Sequence, residues 1–236
     1  MAEAPGPLSV TGLARDLRIS KSMVHGLLVT MAEQGFVERL PDRTYQLGIG
    51  VLIAGESVRR RRDVRTTALP VMRDLCRETG DPVYLFVVHG DSGVLLERVV
   101  PNMGASVTME IGEQGPLHVG SLRKVLLAYQ PEEALCHYLG RSLERVTAFS
   151  PTDPTKLREQ LAEVRVQGYA YTEQESFEGI AGLAAPVFDA TGTVVASIGV
   201  STVVPRMRAR RDAVASSVRD AAARVSAALG HLDRRE

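Results

Sequence analysis

Val10, Leu13, Ala14 and Leu17 recur at helical spacing behind Ser9, a residue suited to capping a helix N-terminus. Arg18-Ile19-Ser20 reads as a turn. A second helix follows, with Val24, Leu27, Leu28 and Met31 on one face and Lys21, Ser22, His25 and Val29 on the other. Gly35 suits a left-handed residue at its end. Beyond it, Phe36–Leu40 and Thr44–Leu47 alternate about Pro41-Asp42-Arg43, which predicts a hairpin. Two short helices at a tight turn, then a hairpin, describe a winged helix-turn-helix over residues 1–48, a shape that presents a helix to the DNA major groove.

Residues 49–66 read as a helix joining two domains. They include Arg59-Arg60-Arg61-Arg62, which suits either a helix C-terminal dipole or DNA phosphates. Residues 67–236 alternate, with helices over 68–79, 120–129, 132–139, 154–167 and 207–229. Strands are expected over 83–89, 94–100, 105–111, 169–173, 183–189 and 194–202. Tight turns at Gly90-Asp91-Ser92-Gly93 and Ala190-Thr191-Gly192 imply an antiparallel sheet with helices packed on it. The expected fold class is therefore a two-domain α+β chain with a sensor-type (GAF/PAS-like) C-terminal domain.

A chain of 236 residues with 44% hydrophobic content can build such cores. The zero net charge hides a split: residues 1–66 carry +3 and residues 67–236 carry −3, which is compatible with phosphate contact at the front. Lysine is confined to Lys21, Lys124 and Lys156. Cys76 and Cys136 fall in predicted helices and suggest no disulfide framework. The start has no basic-then-apolar leader, and the run Val83–Val88 is too short to span a bilayer. A cytoplasmic protein with no membrane partner is expected.

Enzyme signatures are weak. Gly48-Ile49-Gly50 lacks the third glycine of a dinucleotide loop. Five scattered histidines suggest no metal or other cofactor. Gly90-Asp91-Ser92-Gly93 matches the string around a serine-protease nucleophile, but no histidine motif precedes it and these are ordinary turn formers.

Several strings, in order, resemble the IclR (isocitrate lyase regulator) family from about Pro5 to Gly230. In front they are Pro7-Leu8-Ser9, Leu13–Leu17, Ser20–Leu28 and Tyr45–Gly48. Behind are Pro116-Leu117-His118, Lys124–Ala128, Gly168-Tyr169-Ala170, Glu175, Gly179, Ala184–Val187, Asp189, Gly192, Val194–Ala196 and Val200-Ser201. The resemblance implies a dimer or dimer of dimers that binds double-stranded operator DNA and a small, often acidic, effector. It places Lys21, Ser22 and His25 at the bases, with Arg15, Arg39 and Arg43 suited to phosphates. It implies an effector site lined by Gly115, Ser121, Leu122, Thr172, Ile180, Gly182, Gly199 and Ser201.

The chain departs from the family pattern. The resemblance implies a helix ahead of Pro7, of which Met1–Pro7 supplies almost nothing, so Leu13, Leu17, Leu27 and Met31 are expected to lack cover. Gly26 stands where an arginine is common, which implies weaker DNA affinity. Thr172, Gly182 and Gly199 replace a common aspartate, cysteine and serine, and Ser121-Leu122-Arg123-Lys124 departs from a pattern ending in Gly-Lys. The two glycines either widen the cavity, for a bulkier or less polar effector, or permit close strand packing. His118 reads as a hydrogen-bonded core histidine rather than a ligand contact. The leading reading is a ligand-responsive transcription regulator. The alternatives are a ligand-binding or dimerising module with an impaired DNA-binding half, and a hydrolase using Ser92.

Overall fold

The computed structural model describes residues 6–61, 63–101 and 109–232, with backbone alone for 56–61 and 63. The chain divides into two compact units, Met1–Arg62 and Asp63–Glu236.

In the first unit, α1 (Val10–Leu17) is capped by Ser9, whose hydroxyl accepts from the Gly12 amide, and ends at Arg18 in the left-handed region. Ser20 likewise accepts from the Met23 amide and opens α2 (Lys21–Glu33). Strands β1 (Val37–Arg39) and β2 (Tyr45–Leu47) pair antiparallel as the wing, and α3 (Ile49–Arg61) follows. Ala14, Val24, Leu28, Val37 and Tyr45 form the small core, with Val10, Leu13 and Ile19 packed on it. Leu17, Leu27 and Met31 are 58%, 53% and 37% exposed, whereas Leu13 is partly covered. Gly48 and Gly50 have a packing role. A Cβ on either would strike the Gly35 carbonyl, and the Gly50 amide donates to that oxygen at 2.9 Å.

The second unit opens with α4 (Asp63–Thr79), so the helical stretch expected over 49–66 belongs to two helices. Then come β3 (Val83–His89), β4 (Ser92–Val99), β5 (Gln114–Pro116), α5 (Ser121–Ala128), α6 (Glu132–Leu139) and α7 (Pro154–Gln167). Strands β6 (Ala170–Glu173), β7 (Ile180–Phe188) and β8 (Val194–Val203) precede α8 (Val204–Ala209) and α9 (Arg211–Ala228). The strand expected over 105–111 falls mostly outside the described residues. Residues 109–111 are not in a strand, and the edge is instead β5.

The sheet runs β5-β4-β3-β8-β7-β6, with every pairing antiparallel. Both faces are covered, which explains the unbroken apolar run of β3. Val83, Leu85 and Val87 join α4 and α9 on one side, while Tyr84 and Phe86 join α5, α6 and α7 on the other. The single helix expected over 207–229 is broken at Arg210. There Arg206 and Arg210 both grip Asp81, itself 3% exposed, and both donate to the Thr79 carbonyl. A buried carboxylate held by two guanidiniums outweighs the continuity of one helix.

Candidate functional site

The first unit gathers polar groups on the exposed side of α2. Burial of Val24 and Leu28 against the wing core fixes the roll of the helix, leaving Lys21, Ser22 and His25 exposed at i, i+1 and i+4. Ser22 shares a hydrogen bond with the capping Ser20 at 3.1 Å. Arg39 and Arg43 are exposed on the wing. At its tip Asp42 accepts from the Thr44 amide and hydroxyl, which hold its carboxyl below the usual range. Arg43 sits at φ 66°, a left-handed conformation unusual for a side chain of its size. Arg15, on the last turn of α1, is exposed and pairs with Asp16 at 3.1 Å. A Cβ at Gly26 would meet open space.

In the second unit a cavity of about 40 Å³ lies under the N-terminus of α5, against the sheet face carrying Tyr84 and Phe86. Ser121, Leu122, Thr172, Ile180, Gly182 and Ser201 line it. Register explains their convergence: Thr172 pairs with Gly182, and Gly182 with Ser201, in one row across β6, β7 and β8.

Two positions expected in the lining lie outside it. A Cβ on Gly199 would collide with the Leu183 carbonyl and Ala184, so this glycine serves close strand packing. Gly115 lies beneath Arg123, whose guanidinium occupies the place a Cβ would take. Gly182 does border the cavity, but a Cβ there would come within 2.6 Å of the Ser121 hydroxyl. Its missing side chain admits Ser121 rather than leaving empty volume.

Sequence reasoning missed Arg123 and Glu175 as lining residues. Glu175 is neutralised. Its Oε1 accepts from Lys124 Nζ at 2.6 Å and its Oε2 from the Gly120 amide at 2.9 Å, while Lys124 also donates to Gln160 at 3.0 Å. Lys124 is only 4% exposed. Arg123 is 8% exposed and lies over the Phe86 ring at 5.6 Å. Burial pushes its guanidinium down from the ordinary value, against the opposing pull of Glu113 and Tyr138. Burial also pushes the Tyr84 phenol up to about 12, keeping it protonated.

His118, 1% exposed, does not line the cavity. Its Nδ1 shares a hydrogen bond with the Tyr138 hydroxyl at 2.8 Å, and its Nε2 meets the Glu144 carbonyl at 2.9 Å. Burial lowers its pKa, chiefly by desolvation. The unfolded chain therefore binds this proton more readily than the folded one, and stability falls as pH drops below the ordinary value of 6.5. Urea midpoints at pH 7.5 and 5.5 are expected to show that loss, reduced in His118→Gln.

Among the described residues no His, Cys, Asp or Glu group is gathered for a metal ion, and no helix is long and apolar enough to cross a membrane. Cys76 and Cys136 are both free.

Comparison with known proteins supplies the context. The family model described as IclR helix-turn-helix domain matches residues 1–41, and that described as Bacterial transcriptional regulator IclR C-terminal matches residues 56–227. The glycerol operon regulatory protein of Streptomyces coelicolor is 33% identical over 228 residues, covering 94% of this chain and 89% of that protein. The transcriptional repressor IclR of Escherichia coli is 28% identical over 211 residues, covering 88% and 77%. The crystal structure of the Thermotoga maritima IclR superposes with a TM-score of 0.73 at 28% identity, covering 97% of this chain and 94% of that one. A winged unit with an exposed polar helix face, an α+β unit with a cavity beneath α5, and these matches along nearly the whole length establish that the chain belongs to the IclR family of DNA-binding transcription regulators.

Proposed function

We propose that this regulator binds a pseudo-palindromic operator as a dimer or dimer of dimers in the cytoplasm, and that a small molecule in the cavity under α5 alters its occupancy of DNA. The supporting observation for DNA is the α2 face. Lys21, Ser22 and His25 stand exposed at the start of a helix whose other face is locked into the wing core. These residues reach base edges, while Arg15, Arg39 and Arg43 meet phosphates. Paired helices must span about 34–36 Å to enter successive grooves, and an effector shifts that spacing only by binding one arrangement better than another.

For the effector, the supporting observation is the row Thr172, Gly182 and Ser201 beneath Ser121, which turns three hydroxyls toward a cavity that Arg123 and Glu175 also border. A volume of about 40 Å³ holds a few waters. An effector larger than that needs more room than the cavity gives as it stands, and Phe177, which borders it, belongs to the short Gln174–Gly179 connection between β6 and β7.

Fluorescence anisotropy with DNA selected from a random pool tests the first half. Affinity falling steeply with salt is expected, and flat, weak binding would count against operator recognition. Gly26→Arg is expected to bind more tightly, since open space receives the side chain and helix propensity improves by about 1 kcal/mol. A small-molecule screen for altered anisotropy tests the second half, with Ile180→Trp closing the cavity as control.

A further inference from the structure

Arg123 has no hydrogen-bond acceptor and no ion-pair partner among the described residues, although it is 8% exposed. Buried arginines ordinarily find a carboxylate or several carbonyls, because an uncompensated buried charge is costly. What this one has is the Phe86 ring, the attraction of Glu113 from beyond ion-pair distance, and a slot. Gly93 and Gly115 are register partners on β4 and β5, and both are bare where Arg123 crosses them. A Cβ on Gly93 would stand 2.6 Å from the Arg123 Cγ, and one on Gly115 would fall on the guanidinium. Two paired glycines thus lay the side chain against the backbone of the sheet edge, on the cavity wall.

The charge is also placed against the local field. Arg123 is the third residue of α5, in a first turn where the helix dipole favours anions and disfavours cations. Burial disfavours it further, and a neutral residue would relieve both penalties. An anion in the cavity would meet a guanidinium and a helix N-terminus together.

We propose that Arg123 is the counter-ion for a single carboxylate of the effector. This rests on the cavity under α5 being the effector site. Charge counting sets the valence. Lys124 and Glu175 cancel each other across 2.6 Å, so Arg123 is the one charged group of the described wall left without an ion-pair partner, with Glu113 attracting it only from beyond contact. Tyr84, Phe86, Leu122, Phe177 and Ile180 give the wall an apolar part that suits an apolar body. The ligand class is therefore a monocarboxylate with a hydrocarbon or aromatic remainder, not a dicarboxylate or phosphate dianion. The Arg fork makes two parallel hydrogen bonds to a carboxylate, and the Ser121 and Ser201 hydroxyls are left for polar groups elsewhere on the ligand.

The test is calorimetry on the full chain with butyrate and benzoate, their neutral amides, and succinate and inorganic phosphate. In the unaltered protein the monocarboxylates are expected to bind at least tenfold more tightly than the amides, and more tightly than the dianions. Arg123→Gln and Arg123→Met are expected to lose that ratio while melting no lower than the parent, because each removes an unpaired buried charge. A preference that survives both Arg123 variants but disappears in Ile180→Trp overturns the role of Arg123 and leaves the cavity as the effector site. A preference that survives Ile180→Trp as well overturns the cavity reading itself. Equal binding of acids and amides, or no binding of any probe, also overturns the proposal.

Discussion

Glu175→Ala is expected to lower the stability of the second unit by about 3–5 kcal/mol, because it strands the buried Lys124 ammonium without a counter-charge. The geometry leaves Lys124 little recourse. Its Nζ is 2.6 Å from Glu175 Oε1 and 3.0 Å from Gln160 Oε1, and the residue is 4% exposed, so Gln160 alone would face a full positive charge. The same change removes the acceptor for the Gly120 amide at the mouth of α5. For a unit of this size the loss corresponds to a melting-temperature drop on the order of 10 °C. Replacing both partners, Lys124→Met with Glu175→Leu, is expected to recover most of it, since the desolvation cost of two ions disappears with their attraction. Thermal melts of the two single variants and the double variant measure this directly. Two singles no less stable than the double would show that the ion pair is not the main support of this corner.

Local signals in the chain were strong enough to define elements whose ends are chemically marked. α7 spans the expected residues because Asp153 accepts from the Thr155 and Lys156 amides, Pro154 fits the first position, and Gly168 closes it in the left-handed region. The wing followed from alternation about a turn that Asp42 stabilises. What failed was set by distant partners. β5 is the string Gln114-Gly115-Pro116, which has no strand-like pattern and exists as a strand only through pairing with Ser92–Val94. The break at Arg210 depends on Asp81, far away in sequence. Of the expected cavity positions, Thr172, Ile180, Gly182 and Ser201 fall on its wall through β6, β7 and β8, and Ser121 and Leu122 through the start of α5, while Gly199 and Gly115 lie outside it because close contacts with the Leu183 carbonyl and with Arg123 are matters of packing depth. Arg123 was visible as a departure from the family string. Its burial was not, because that requires Gly93 and Gly115 to be paired beneath it.

In the first unit, Lys21→Ala and Arg43→Gly are expected to weaken DNA binding in different ways while sparing the fold. Both residues sit where local energetics disfavour them. Lys21 is the first residue of α2, where the helix dipole opposes a cation, and Arg43 holds φ at 66°. Neither belongs to the core of Ala14, Val24, Leu28, Val37 and Tyr45. Removing them is therefore expected to leave the unit as stable as before, or about 1 kcal/mol more stable where glycine relieves the left-handed strain. DNA affinity is expected to move the other way. If Lys21 reads a base edge, Lys21→Ala costs about 1–3 kcal/mol on selected DNA and much less on random DNA. If Arg43 meets a phosphate, Arg43→Gly weakens both alike and flattens the logarithmic salt dependence by about one. Anisotropy titrations on the two DNA classes at several salt concentrations separate these outcomes, and chemical denaturation checks the fold. A stable Lys21→Ala protein with undiminished discrimination would remove Lys21 from the recognition surface, and an unchanged salt slope would do the same for Arg43.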